Sequence, residues 1–298
     1  ENIYPKNMRP SVSAGGTVHY VNFEEESYIE DIEAREKPGT PGILQGIKAA
    51  LAFDLKNEVG VDTIEAIEAY YLNRFYQAFE GEEDIRFYGT QDPEKKINII
   101  PFNVIHRDRI LHPKFVTKLL NDLFGIQTRA GCSCAGPYGH RLLDIDLDLS
   151  REYNEVITKQ KYTGIKPGWA RLNLHYSLSE AEAEYIISAV QFVTEYGSRF
   201  LSDYLFDFTT GEWTHKDEPT HRQVIRPDFS AVRGLASAAG QEAEDMETVF
   251  AENLSGAKEM AEQLGEPGEF VRCKPDIEPL MFFYVVHYKD NPECVCNE

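Results

Sequence analysis

Apolar side chains fall into two rhythms along this chain, and the switches between them mark out its elements. After a glycine-containing loop that opens at Pro10, residues Thr17 to Phe23 are β-rich. The turn Glu36-Lys37-Pro38-Gly39-Thr40-Pro41-Gly42 then leads into Ile43, Leu44, Ile47, Leu51 and Leu55, whose spacing predicts a helix with that face buried. Thr40-Pro41 reads either as a plain N-cap and first helical residue or, with Gly39, as a helix start suited to a phosphate. A second helix is predicted over Thr63 to Phe79, with Ile64, Ile67, Tyr71, Phe75 and Phe79 on one stripe and Gly81 as its stop.

From Ile97 the pattern alternates: an apolar run to Ile105, a helix over Pro113 to Phe124, a short strand at Ile126 to Arg129, then the loop Ala130 to Pro137. That alternation predicts an α/β unit. Trp169 to Tyr176 is strand-like, and Ser179 with Glu182 forms a capping box that opens a helix running on towards Tyr204. Beyond residue 205 the character changes. Phe206 to Thr214 reads as a strand with a Thr-Gly turn, and Gln241 to Glu269 holds nine acids against Lys258 alone, a solvated helix or a flexible segment. Leu280 to Tyr288 is a continuous apolar, β-rich run, which predicts that the chain returns there to pack.

Charge and composition narrow the functional classes. The 298 residues carry 50 acidic and 30 basic side chains, a net charge of -20, and are 42% hydrophobic, ample for a core. Residues 206–298 hold 19 acids and 8 bases, so -11 of that charge belongs to the last stretch and -9 to the rest. No basic cluster is present to release counterions from a nucleic acid, so no nucleic-acid partner is expected. There is neither an apolar run of membrane-spanning length nor a signal-like start, so no membrane association is expected and a cytoplasmic location is. Five cysteines, four of them in Cys-x-Cys pairs, suit reduced thiols better than a disulfide scaffold.

Chemistry concentrates between Arg129 and Pro137. A thiol on a glycine-rich loop directly after a strand can act as a nucleophile, and Arg129 nearby favours the thiolate; an inert loop thiol is the alternative. A zinc site from Cys132, Cys134, Cys294 and Cys296 has the wrong spacing for a structural centre, so no metal is expected. Gly39-Thr40 offers backbone N–H groups and a hydroxyl at a helix start, suited to a phosphate oxygen. Arg171, in a strand-like run, is placed to clamp a carboxylate, with a surface arginine as the alternative. Asp144, Asp146 and Asp148, with Glu155, imitate a calcium loop, but Leu149 stands where that loop needs glycine. The histidines are scattered without a metal-binding motif.

Several of these segments occur together in a known order. Gly15-Gly16-Thr17-Val18, Arg35-Glu36 with Gly39-Thr40-Pro41, Leu111-His112-Pro113 with Phe115-Val116, Arg129-Ala130-Gly131-Cys132-Ser133-Cys134-Ala135-Gly136-Pro137, and Trp169-Ala170-Arg171-Leu172-Asn173 resemble the class V aminotransferases, and among them the cysteine desulfurase-like members. The resemblance covers residues 10 to 205, and its most specific part is the Arg-x-Gly-x-x-Cys-Ala segment. It implies an α/β aspartate aminotransferase-like fold and a homodimer that works with pyridoxal 5'-phosphate on an amino acid, cysteine in the first instance, and passes sulfur to an acceptor protein. It implies Cys134 as the persulfide-forming nucleophile, Thr40 beside Gly39 as a contact to the cofactor phosphate across the dimer, and Arg171 as the substrate-carboxylate anchor. Cys132, Arg129 and His140 are possible auxiliaries.

One family feature has no counterpart. The Schiff-base lysine of the family lies upstream of the Gly-Gly segment in a Ser-x-His-Lys context, and here Lys6, in Tyr4-Pro5-Lys6-Asn7-Met8, is the only lysine before that segment. The chain, which starts at Glu1 without Met, thus resembles the C-terminal part of a longer enzyme: residues 1–80 from the end of the large domain, 81–205 a small α/β domain, and 206–298 an acidic extension. Alone it is expected to be inactive. The alternatives are another class V activity (aminotransferase, lyase or epimerase) and a non-catalytic binding or scaffold protein. Cys294 and Cys296 are candidates to relay a persulfide, against a frayed end as the simpler reading.

Overall fold

The computed structural model describes residues 9–131, 136–218 and 245–288. The architecture is mixed α/β, as expected, and the chain divides into two compact units, Glu1–Glu65 and Ala66–Glu298.

In the first unit, β1 (Val18–Val21) and β2 (Glu26–Tyr28) form an antiparallel hairpin whose turn is held by the Asn22 side chain, which accepts from the N–H groups of Glu24 and Glu25 at 2.8 Å. A short α1 (Ile32–Arg35), capped by Asp31, precedes α2 (Ile43–Val59). Two expectations for α2 fail. The helix begins two residues after Pro41, with Gly42 as N-cap and no capping side chain, so Thr40 lies outside it as an exposed loop residue. And α2 buries no residue: Ile43, Leu44 and Leu51 are 66%, 73% and 62% exposed. An amphipathic stripe states which face a helix would bury; no described element of this unit packs on it.

The second unit begins within α3 (Val61–Ala78), whose predicted stripe does reach the core at Tyr71, Phe75 and, just past the helix, Phe79. Its sheet runs β3-β4-β7-β6, all antiparallel, from β3 (Ile85–Phe87), β4 (Ile100–His106), β7 (Trp169–Leu172) and β6 (Arg129–Gly131); β5 (Arg109–Ile110) pairs with the end of β4. Alternation along the strands sends Ile100, Phe102 and Val104 of β4, with Ala170 and Leu172 of β7, into the core. Helix α4 (Pro113–Phe124) is built for that place. His112 caps it, Pro113 sits in its first turn, Gly125 ends it in the left-handed conformation, and Phe115, Leu119 and Leu120 are fully buried. Two further helices, α5 (Gly136–Leu142) and α6 (Leu147–Lys159), precede β7. The capping box forms as predicted and opens α7 (Glu180–Tyr196), to which α3 is tied by Tyr71 on the Leu178 carbonyl and an Arg74–Glu184 ion pair at 2.6 Å.

The residues after 205 belong to this same unit. β8 (Tyr204–Phe206) and β9 (Trp213–His215) form a hairpin, and β10 (His287–Tyr288) adds in parallel beside β8. The acidic stretch contains α8 (Met246–Leu264). Its outer face is solvated as expected, but Ala257 and Ala261 are wholly buried, because small residues let it lie close on its neighbours α4 and α7. The apolar run from Leu280 does return to the core: Phe283 and Val285 are buried, and Phe283 bridges to Ile110 beside β5.

Candidate functional site

The sheet edge formed by β6 and β7 carries the most distinctive charge arrangement. Arg129 and Arg171 are register partners in an antiparallel pair, so their side chains leave the same face side by side. Like charges in direct opposition destabilise a sheet. Among the described residues neither guanidinium has a carboxylate or hydrogen-bond partner. Both line one cleft of about 690 Å³, a size suited to a small organic ligand.

The other lining groups sharpen what that cleft accepts. Among the described residues Glu182 is its one carboxylate, and the capping box occupies it: Ser179 donates to Glu182 Oε2 from its N–H at 2.7 Å and from its hydroxyl at 2.9 Å. Those bonds hold the Glu182 pKa below the usual carboxylate range. Asn98 is spent on the Leu174 backbone, donating to its carbonyl and accepting from its N–H. The Thr128 hydroxyl is buried with no hydrogen-bond partner among the described residues, and so is not presented to the cleft. Two cations uncompensated among the described residues make this a site for an anion. The remaining wall is apolar, from Phe124, Leu178, Ile186, Met246 and Phe250. Sequence reasoning found the two arginines but not this wall; the only available signal was the i, i+4 apolar pair Met246/Phe250 inside an acidic run.

Cys132 and Cys134 fall outside the described residues, but the structure fixes both ends of their segment. On one side Gly131 has φ +122°, open essentially to glycine, and Gly168 lies so close that a Cβ there would come 2.5 Å from the Gly131 carbonyl carbon. On the other side His140 ties α5 to α6. Its Nδ1 donates to the Gly136 carbonyl at 3.0 Å, and its Nε2 then accepts from the Ser150 hydroxyl at 2.9 Å. With both ring nitrogens engaged, His140 holds the start of α5 to α6. It also lines a second cavity of about 510 Å³ with Tyr153, Lys166 and Trp169.

Gly39 and Thr40 lie in the first unit. The Gly39 N–H donates to the Gly15 carbonyl at 2.8 Å, leaving the exposed Thr40 hydroxyl as the group of this pair to meet a phosphate. The calcium-like carboxylates are spent locally: Asp146 caps α6, Asp148 pairs with Arg151 at 2.9 Å and Glu155 with Lys159 at 2.8 Å. Among the described residues no three His, Cys, Asp or Glu side chains converge as a metal site. Cys294 and Cys296 lie outside the described residues.

Residues 3–147, which include Thr40, Arg129 and Cys134, match the family model of the aminotransferase class-V proteins. Over this segment, just under half of its length, the chain is similar to the class V aminotransferases. Arg171 stands beyond the matched segment. A probable cysteine desulfurase of Halobacterium salinarum is 31% identical over 130 residues, 44% of this chain and 30% of that protein. A cysteine desulfurase of Haloferax volcanii is 27% identical over 135 residues, 45% and 30% respectively. The chain thus spans about a third of the length of the curated relatives it matches. Among solved structures, an apo cysteine desulfurase of Thermococcus onnurineus NA1 superposes with a TM-score of 0.45 at 24% identity, over 62% of this chain and 39% of that one. No helix among the described residues is long and apolar enough to cross a membrane.

Class V aminotransferases work with pyridoxal 5'-phosphate, and the residues here fit part of that requirement. The two arginines suit an anionic substrate group, and the exposed Thr40 suits a phosphate oxygen. No lysine lines the arginine cleft among the described residues, so the amine linkage to the cofactor has no donor there.

Proposed function

We propose that these residues are the carboxylate-binding and sulfur-accepting portion of a pyridoxal-phosphate enzyme of the cysteine desulfurase type, with Cys134 as sulfur acceptor, Arg171 as carboxylate anchor and Thr40 beside Gly39 as a phosphate contact. The observation that carries this reading is the in-register Arg129–Arg171 pair, without a counter-ion among the described residues, on the strand that leads into the Cys134 segment. The names of the curated relatives support it over the matched part.

Arg171 holds the substrate carboxylate through two parallel N–H donors, a fork geometry that fixes orientation as well as charge. Arg129 beside it adds positive potential, which favours the carboxylate and lowers the pKa of a nearby thiol. The Cys134 thiolate attacks the sulfur of the bound cysteine: an S–S bond forms, the Cβ–S bond breaks, its electron pair stays with carbon, and a proton taken up there leaves alanine. The cofactor, when bound, supplies the electron sink for that carbon chemistry. The lysine that carries it is provided from outside the described residues, and the working assembly is a homodimer that hands sulfur to an acceptor protein.

The test uses the holoenzyme to which these residues belong. Cysteine should give alanine with one sulfur atom added to Cys134 by peptide mass, and Cys134→Ser should abolish the addition. Arg171→Gln should raise KM roughly 10- to 100-fold, the value of a charge-assisted hydrogen bond of about 1.5–3 kcal/mol. Unchanged sulfur release in Cys134→Ser overturns the reading, and alanine-free turnover of another amino acid would assign a different class V reaction.

A further inference from the structure

The cleft that holds Arg171 is completed by a helix from the C-terminal extension, outside the segment matched to the class V family. Met246 and Phe250 stand one turn apart at the start of α8, so they share a face, and both line the cleft. Met246 is 52% exposed, an apolar side chain held at the surface at this one wall. Their helix is firmly seated. The Phe250 ring stacks on Tyr185 at 4.1 Å and 13°, and Asn253 donates to the Tyr185 hydroxyl at 3.1 Å while that hydroxyl donates to the Phe124 carbonyl at 3.0 Å. One turn and two turns further on, Ala257 and Ala261 are wholly buried, and Arg199 donates to the Ala261 carbonyl. Tyr185 and Phe124 line the same cleft, so the contacts that seat α8 also build the wall.

The cleft therefore has two chemical ends. One offers paired guanidiniums; the other offers a ring, a thioether and, from α7, Ile186. We propose that α8 is the specificity wall of this site, with Met246 and Phe250 receiving the apolar or sulfur-bearing side chain of an amino or oxo acid whose carboxylate is paired with Arg171. The proposal rests on the carboxylate-anchor reading above and adds the group that selects the side chain. A thioether and a ring edge are soft, polarisable contacts, suited to a sulfur or methylene chain and unsuited to a charged one. Substrate choice is then set by the extension, separately from the matched segment that carries the thiol.

A test on the full chain needs neither cofactor nor turnover. Butanoate and hexanoate are titrated as probes, and affinities are read by NMR from arginine Nε–Hε and methionine methyl resonances. In the wild type the Met246 methyl should shift on binding, and hexanoate should bind roughly tenfold more tightly, the worth of two buried methylenes. Met246→Ala, at an exposed position, and Phe250→Ala should each reduce that ratio to about threefold or less and leave butanoate affinity within a factor of about two. An undiminished ratio in both variants, or a Met246 methyl that stays unmoved at saturation, overturns the wall while leaving the anchor intact. Arg171→Gln should weaken both probes equally; if it weakens neither, the anchor itself is wrong and the wall falls with it.

Discussion

His112 shows how completely one side chain can be committed to structure. It caps α4 by accepting from the Lys114 N–H at 3.1 Å through Nδ1, and Nε2 donates to the Gly164 carbonyl at 3.0 Å. Its ring is enclosed by aromatic neighbours, Phe283 at 4.5 Å and Phe206 at 5.4 Å among them. Burial pushes its pKa down from 6.5 to about 3. A proton on Nδ1 would destroy the cap, so the native ring stays neutral while the unfolded chain takes up a proton near its ordinary value. Between those two pKa values the unfolded state binds more protons, so stability rises with pH. The contribution is full above the unfolded value and is lost as pH falls towards the folded one, costing about 2 kcal/mol by pH 5. Urea unfolding at pH 7 and pH 5 should show that loss in the wild type and a shallower loss in His112→Asn, which keeps a capping side chain. Equal slopes would mean that His112 is protonated in the native state.

At the scale of elements, the junction between β6, β7 and the turn before β7 decides where the cysteine segment leaves the sheet. Gly168 permits the contact with Gly131 that no larger residue would allow. Gly168→Ala forces backbone against backbone and should destabilise the protein by about 1–3 kcal/mol, the usual cost of overpacking. Gly46→Ala, mid-helix in α2 with nothing within 4 Å of the added carbon, should be neutral or stabilising by up to about 1 kcal/mol. Thermal melts of both variants check this, and equal midpoints would remove the role assigned to Gly168. Elements with strong local signals were legible from sequence: the capping box of α7, the Pro113 start and Gly125 stop of α4, and the apolar alternation of β4. The arginines of the cleft were legible singly, but their pairing was not. Register between β6 and β7 is a long-range property, and one residue of slip would send the two side chains to opposite faces. The α8 wall was hidden for the opposite reason, since the acids on its solvent face dominate the composition of that stretch and mask the small residues that seat it.

Across the whole molecule, apolar surface is distributed unevenly between the two units. In Ala66–Glu298, helices α3, α4, α7 and the extension share one continuous core, and even lysines near its surface are tied down: Lys114 donates to the Thr210 carbonyl at 2.8 Å, and Lys118 pairs with Glu218 at 3.1 Å. In Glu1–Glu65, α2 displays Ile43, Leu44, Ile47, Leu51, Phe53 and Leu55 on its exposed surface and buries none of them. A helix without tertiary burial has only its propensity and local hydrogen bonds to hold it, and 17 residues is near the length at which isolated helices are marginal in water. Local opening of α2 should therefore cost far less than global unfolding. Brief treatment of the chain with trypsin should cut first at Lys48 and Lys56, and leave resistant a fragment that begins beyond Lys56 and retains Lys114 and Lys118 uncut. Protection of Lys48 and Lys56 equal to that of Lys114 would overturn this, and would show that the apolar face of α2 is covered in solution.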